Sequence, residues 1–585
     1  MSARPQNHHF IPQFVLRQFA PEEQPPAAPA ASPAKRGRRR DFIVNKVDLN
    51  KGVLAQRPVS TEFALVDMYR DPGFDENPYH LEKKLSKLET QASEALRKAR
   101  AAFGKGHTLE LKRTEVNTLR KFLFLMKYRG TAMFERYNRD KIDDYDSDDW
   151  LRMRTYMETK GFTKPRDVWF NNLRHILELD MNGGKEWMKT LGSRIYPDDA
   201  LMFELHVNWT FMSFCCPSDA EGEFVLTQNA YAIFEGPSSE NLDLVTGKRN
   251  AIVYTQYHNF APVTPKLMIV LRSHLLKHSR GGEEDSFPET LRRSLEAALR
   301  AQHLHPDQAG SILQDLPIRP CEVAYKDRNS NPPSFHKDDI FQFRVFRLST
   351  AHVTTINNLF LEEAYAVPSI VYHSPAALRA SLKHYLESEV PTMKRFLDHP
   401  SDLRRSYLHK LENVLRDLGG TARPRINPFD IGQARFRIHM ALHVGDVIGK
   451  QLLDKGGIPV LPEGYKLLKP DATLETFWND IDQASRFFML RAKMDSALSL
   501  TNFSRSEKIA VREQLMVFLS DFPAERIWLY LKIARNRDKF DESDFYIQTK
   551  PLCLTGVEDV YARDIERYPA VRRYLTREML FDGAT

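Results

Sequence analysis

Apolar residues occur in short runs throughout this 585-residue chain. The longest, such as Phe122–Met126 and Leu267–Leu271, fall far below the roughly 18–20 residues a membrane-spanning helix needs. The core must therefore be assembled from many short elements, and the periodicity of each decides what it becomes. Leu81, Leu85, Leu88, Ala92, Leu96 and Ala99 recur at three- and four-residue spacing, which predicts a long helix. Thr114–Tyr137 predicts a second, through Leu119, Phe122, Leu123 and Met126. Asp41–Asp48 and Val53–Val59 flank Leu49-Asn50-Lys51-Gly52, the pattern of a β-hairpin whose Asn and Gly supply the turn. Between Leu201 and Val371 the β-prone segments are Leu201–Cys216, Phe224–Leu226, Ala251–Tyr257, Leu267–Leu271 and Ile370–Tyr372. Among them lies a charged loop, Lys277–Ser286, leading into a helix around Pro288–Gln302.

From Ser374 onward the pattern is almost wholly helical. Ser401–Leu418 has a serine N-cap and stops at Gly419-Gly420. Further helices are expected at Ile431–Lys455, Leu474–Arg491, Ser506–Asp521, Pro523–Arg535 and Val557–Leu580. The expected architecture is an α+β N-terminal domain over residues 1–374, with helices plus a mixed or antiparallel sheet. A mainly α-helical C-terminal domain over 375–585 follows it.

Lys+Arg 84 against Asp+Glu 77 leaves a net charge of +7, and 42% of residues are hydrophobic, which excludes a collagen-like or wholly disordered chain. No large domain is strongly basic, which argues against a dedicated DNA-wrapping surface. The positive charge concentrates in Lys35, Arg36, Arg38, Arg39 and Arg40, after the Pro- and Ala-rich tract Pro21–Ala34. Such a tract buries too little apolar surface to offset its ordering entropy, so residues 21–40 are expected to be a disordered basic insert. The cluster suits nuclear import or a nucleic-acid contact, or it is simply a solvated linker end. Four cysteines are too few and too scattered for a disulfide framework, and Cys215 and Cys216 are expected to be buried free thiols. His8, His9 and Pro12 interrupt any apolar leader, so the expected location is intracellular, cytoplasmic or nuclear, without signal peptide or membrane segment.

The opening run His8-His9-Phe10-Ile11-Pro12-Gln13-Phe14-Val15-Leu16-Arg17-Gln18-Phe19 closely resembles the start of the domain-of-unknown-function 4238 family. Other blocks follow in that family's order. Phe42–Val59 resembles its early hairpin, Glu62–Tyr69 the segment ending in an aromatic pair, and Tyr79–Leu96 its Glu-containing helix. Phe124–Thr131 is similar to its helix ending in Arg-Thr, Phe224–Gly236 occupies the place of its Thr-Ser-Asp-Asn-Pro loop, and Phe260–Val270 resembles a strand entry. Thr355–Ser374 resembles the closing block, so the likeness covers roughly residues 7–374. The loop departs from the pattern, with Gln228 in place of the acid and Ala230 in place of the proline. The resemblance implies a fold relationship and a shared pocket, without an established activity.

Within these blocks His8 and His9 are candidate catalytic residues, since neutral imidazole serves as general base or metal ligand near pH 7. Adjacent on an extended segment, they point to opposite sides, so only one can enter a given pocket. The alternative is that one histidine bonds the backbone and pins the N-terminal segment. Gln13, Arg17, Arg129, Asn229 and Asn357 are candidate substrate contacts, the arginines because a guanidinium matches an anion bidentately. Each arginine fits a partly buried ion pair equally, and each asparagine a turn. Gln228 removes a carboxylate base or ligand. His439, His443 and Asp446 share one helix face at spacings of four and three, a weak metal-binding alternative. The acidic run Asp143–Asp149 reads as a solvated loop, with cation binding as the alternative. The motifs leave cofactor and partner unknown, apart from nucleic acid through Lys35, Arg36, Arg38, Arg39 and Arg40. Two functions stay open: a hydrolase or nuclease-like enzyme with a His-centred pocket, and a non-catalytic binding or regulatory protein associated with nucleic acid through the basic insert.

Overall fold

A computed structural model of the chain describes residues 5–22, 41–276 (except 72, 75–76, 106–107, 146, 148, 182–185 and 243–248), 310–326, 336–396, 402–428 and 473. Most of the basic insert, the helix expected at 288–302 and all those expected beyond 428 lie outside these residues. The chain divides into two compact units, one formed by 1–236, 256–285 and 311–428, the other by 237–255, 286–310 and 429–585.

The first unit begins with a short strand, β1 (Asn7–His9), and a helical turn, α1 (Gln13–Leu16), which Pro12 initiates. The expected hairpin follows as β2 (Ile43–Asp48) and β3 (Val53–Pro58). Its turn needs Gly52, which adopts φ +68° and sits so close to Lys410 that an added Cβ would lie 3.0 Å from that side chain. β4 (Ala64–Val66) then runs antiparallel to β1.

The predicted long helix is α2 (His80–Lys105), whose stripe Leu81, Leu85, Leu88, Ala92, Leu96 and Ala99 is buried. After β5 (Leu109–Lys112) comes α3 (Arg113–Tyr128), whose Glu115 accepts the Lys112 N–H at 2.9 Å. Here the expectation of one helix to Tyr137 fails. Arg129 closes α3, Gly130 adopts extended ψ, and a separate helix, α4 (Thr131–Tyr137), restarts. The α3 stripe is buried, whereas α4 buries only Tyr137, so the periodicity that predicts one helix does not register the break.

Four helices follow: α5 (Trp150–Lys160), α6 (Pro165–Glu178), α7 (Trp187–Arg194) and α8 (Pro197–Asn208). The first half of the segment expected as strand at 201–216 is therefore helical. Pro197 at the first turn with Asp198 and Asp199 behind it starts a helix that carries through to Asn208. The strand, β6 (Thr210–Pro217), begins only afterwards. Asp149 closes the acidic run as a buried acceptor, taking Arg136 at 2.6 Å and the Tyr196 hydroxyl at 2.8 Å. Asp199 is likewise buried and takes the hydroxyls of Tyr128 and Tyr137, each at 2.6 Å.

The remaining strands are β7 (Leu226–Thr227), β8 (Phe234–Glu235), β9 (Ser238–Leu242), β10 (Arg249–Tyr254), β11 (His258–Thr264), β12 (Leu267–Ser273), β13 (Glu322–Ala324), β14 (Ile340–Phe343), β15 (Val345–Leu348), β16 (Ser369–Tyr372) and the short parallel pair β17 (Arg395–Phe396) and β18 (Asn427–Pro428). The central sheet has the order β15-β6-β12-β11-β8, with β15 parallel to β6 and the other pairs antiparallel. Residues of β6, β11 and β12 are almost all buried, and Cys215 and Cys216 are free thiols there, both buried. A second sheet, β3-β2-β16-β7, is wholly antiparallel, and a third has the order β13-β14-β5. Helices and sheets are thus combined as an α+β unit.

Three helices close the described chain. α9 (Thr350–Glu363) is capped by Ser349 and α10 (Pro375–Glu387) by Ser374. α11 (Leu403–Asp417) takes its N-cap from Asp402, one residue beyond the expected Ser401, because that carboxylate accepts the Arg404 N–H at 3.1 Å. In the second unit the described residues include the antiparallel pair β9–β10, with a bulge between Ala251 and Val253. No helix among the described residues is long and apolar enough to cross a membrane.

Candidate functional site

The strand β1 sends its two histidines to opposite faces. His8 is buried, stacked on Tyr69 at 5.4 Å between centroids and edge-on to Tyr79 at 5.7 Å. Its Nδ1 accepts the Tyr69 backbone N–H at 2.9 Å, which assigns the proton of the neutral ring to Nε2. Burial lowers its pKa, with Asp67 acting in the opposite direction.

His9 emerges on the other side and is half-buried. Its Nε2 lies 3.1 Å from Gln13 Nε2, and Gln13 Oε1 accepts Arg17 at 2.8 Å. The spacing of four, continued through the turn after Pro12, lines the three side chains into one relay. The Arg17 guanidinium lies 6.0 Å from the centre of the Phe42 ring. Burial lowers the His9 pKa; backbone groups of Glu62 and Ser60 raise it, and the charge of Arg129 lowers it further.

Arg129 is the centre to which the segments turn. As the residue that ends α3 it is 2% exposed, yet it pairs with Glu89 of α2 at 2.7 Å, and Glu89 is a quarter exposed. The pair therefore runs from the core to the surface of α2. Burial opposes the Arg129 charge, but Tyr69, Glu89 and Glu82 raise its pKa above the usual value. Glu82 stands two turns before Glu89 on the same face of α2. Its carboxyl is raised by burial and by the like charge of Glu89, with Arg129 opposing. The phenols of Tyr69 and Tyr231 are raised by burial, again against the pull of Arg129.

The two asparagines tie one loop to α9. Asn357 is fully engaged: Oδ1 accepts Val225 N–H at 3.2 Å, while Nδ2 donates to Glu223 O at 2.8 Å and Ser381 Oγ at 3.0 Å. Asn229 donates to Glu363 O at 2.9 Å, but its Oδ1 is buried without a partner. Two residues on, Tyr231 lies within reach of the Arg129 charge. Of the residues singled out from sequence, His9, Gln13 and Arg17 are joined directly, and Arg129 acts on His9. Asn229 belongs to the loop that carries Tyr231, His8 bonds the Tyr69 backbone on the other face of β1, and the Asn357 amide is engaged by Val225, Glu223 and Ser381. Gln228 is half-buried. The cluster Lys35–Arg40 and the trio His439, His443 and Asp446 lie outside the described residues. Among the described residues no three His, Cys, Asp or Glu side chains converge as a metal site.

Tyr69, Glu82 and Glu89 were not singled out from sequence. A usable signal existed: Glu82 and Glu89 are seven apart and border the apolar stripe of α2, where a carboxylate is costly unless it has a task or a partner. Several buried polar atoms of these family blocks have no hydrogen-bond partner, among them His8 Nε2, His9 Nδ1, Tyr69 Oη, Arg129 Nε, Thr227 Oγ1 and Asn229 Oδ1.

A family model described as a protein of unknown function, DUF4238, matches residues 7–377. No curated protein and no solved structure matches the chain.

Proposed function

Because the chain belongs to the DUF4238 family of proteins of unknown function, we propose that the cluster around Arg129 is its working site and acts as a hydrolase-type, proton-transferring centre on a polar substrate. One observation carries this reading. The unpartnered buried polar atoms of His9, Tyr69, Arg129, Thr227 and Asn229 fall in the blocks that bear the family pattern, and such atoms in a native fold call for a ligand, a water or a chemical role. His9 and Glu82 are both displaced toward their neutral forms, the direction that favours one as proton acceptor and the other as donor; the His9 lone pair is on Nε2, where Gln13 donates, so the amide must turn aside for the ring to take up a proton. Arg129 would orient the substrate, with Gln13 and Arg17 holding the His9 ring. Gln228 adds no charge to this set.

The test is a panel of chromogenic phosphodiesters, phosphomonoesters and carboxylic esters, assayed with the wild type, His9→Gln and Glu82→Gln. Loss of about 10²–10⁴-fold in turnover for either variant at unchanged melting temperature is expected. Variants as active as the wild type, or a wild type inert on the whole panel, would sink the hydrolase reading.

A second reading, nucleic-acid binding through the insert, is favoured by where the insert joins the fold. Asp41 acts on His9, Phe42 lies beside the Arg17 guanidinium, and His373 Nδ1 is 3.1 Å from Ala20 O. Deleting residues 21–40 should abolish salt-sensitive binding to a DNA duplex or an RNA; unchanged affinity rejects this reading. For the chain beyond 374 the sequence pattern supports a mainly helical part, which far-ultraviolet circular dichroism of the full protein against residues 1–428 would test.

A further inference from the structure

Three ionisable side chains occupy one row of the central sheet. Glu235 of β8 is opposite His258 of β11, and His258 is opposite Arg272 of β12. All three are buried. His258 Nδ1 lies 2.7 Å from Glu235 Oε2, so Nδ1–H donates to the carboxylate, while the buried Nε2 has no partner. The same carboxylate reaches beyond the sheet: Oε2 accepts the Ser311 hydroxyl at 2.9 Å, and Oε1 accepts the Ile312 N–H at 2.9 Å. Arg272 donates to Gln314 O at 3.1 Å. These bonds hold a segment whose Leu313, Leu316 and Ile318 are buried.

Arg272 acts on His258, and Glu235 and Asp315 act on Arg272. Asp315, which is exposed, meets His352 of α9 at 3.1 Å. The row shares no residue with the Arg129 cluster.

We propose that Glu235 and His258 form a proton-operated latch, in which protonation of His258 releases residues 311–318 from the sheet. A second proton can enter the ring only at Nε2, where it would create a buried cation beside Arg272 with no acceptor facing it. Glu235, the one carboxylate in the row, is already engaged at both oxygens. Burial accordingly holds the His258 pKa below its ordinary value, although Glu235 raises it. Lifting 311–318 admits water to the row and returns the imidazole to its ordinary behaviour. The sign follows from linkage: the open form binds the extra proton, so the latch is fully closed above about pH 6.5 and weakens as the pH falls. Opening rises about tenfold for each pH unit below 6.5, until the pKa of the closed form is reached.

Hydrogen exchange of the full chain, read by mass spectrometry and corrected for intrinsic rates, tests this between pH 7.5 and 5.5. In the wild type, exchange of 311–318 should rise by up to about tenfold over that range, and by more than that of 119–126 of α3, which follows the stability of the whole fold. In His258→Asn, whose amide keeps a donor to Glu235 but does not titrate, protection at pH 7.5 should match the wild type and the acid response should vanish. A flat wild-type profile, or the same acid response in His258→Asn, overturns the latch. Should the variant lose protection at 119–126 as well, the wild type decides alone. An acid response larger at 311–318 than at 119–126 supports the latch, and equal responses at the two segments reject it.

Discussion

At the scale of single residues, the neighbours His8 and His9 are set apart by strand geometry alone. His8 joins residue 8 to residue 69 through one ring nitrogen and one backbone N–H, so His8→Ala removes both a stacked ring and the acceptor of a buried donor. Urea unfolding should show a loss of about 1–3 kcal/mol for His8→Ala. His9→Ala, cut from a half-buried site, should cost less. Both rings have pKa values lowered by burial, so the unfolded chain takes up more protons than the fold just below pH 6.5. Stability from these sites is complete above that pH and falls as the solution is acidified. The urea midpoint of the wild type should therefore drop between pH 7.5 and 5.5, and drop less in His8→Gln. The histidines and Arg129 were legible because they sit in a dense motif or at a helix end. Tyr69, Glu82 and Glu89 were not, because each acquires its role from a contact that spacing along one element does not encode.

Among the elements, those whose signals are local matched their sequence. The β2–β3 hairpin and α2 carry turn residues or an unbroken stripe. The break between α3 and α4 and the helix α8 did not, because apolar residues serve a helix or a strand equally well once their face is buried. What decides them is small: the extended backbone at Gly130 and a proline with two acids at 197–199. Two substitutions probe such local devices. Asp402→Ala should cost about 1 kcal/mol in thermal or urea unfolding, because the Arg404 N–H loses its acceptor. Gly52→Ala should cost about 1–3 kcal/mol, since its φ of +68° suits few side chains and Lys410 leaves little room. A Gly52→Ala protein as stable as the wild type would show that α11 yields at this contact.

For the whole molecule, the sequence announced a combination of helices and sheets, but not the pairing of strands that lie far apart. The sheet β3-β2-β16-β7 draws together residues 43–58, 226–227 and 369–372. Its inner strand β2 finds its second neighbour only in β16, where Tyr372 pairs with Asn45. During synthesis, at about 5–20 residues per second, the ribosome needs on the order of tens of seconds to travel from one strand to the other. Through that interval the hairpin waits with one edge open and its apolar face without cover, a template for pairing with a neighbouring nascent chain. Birth of this protein on crowded polysomes thus exposes an open edge to its neighbours, and a fragment ending before residue 369 would carry that hazard permanently.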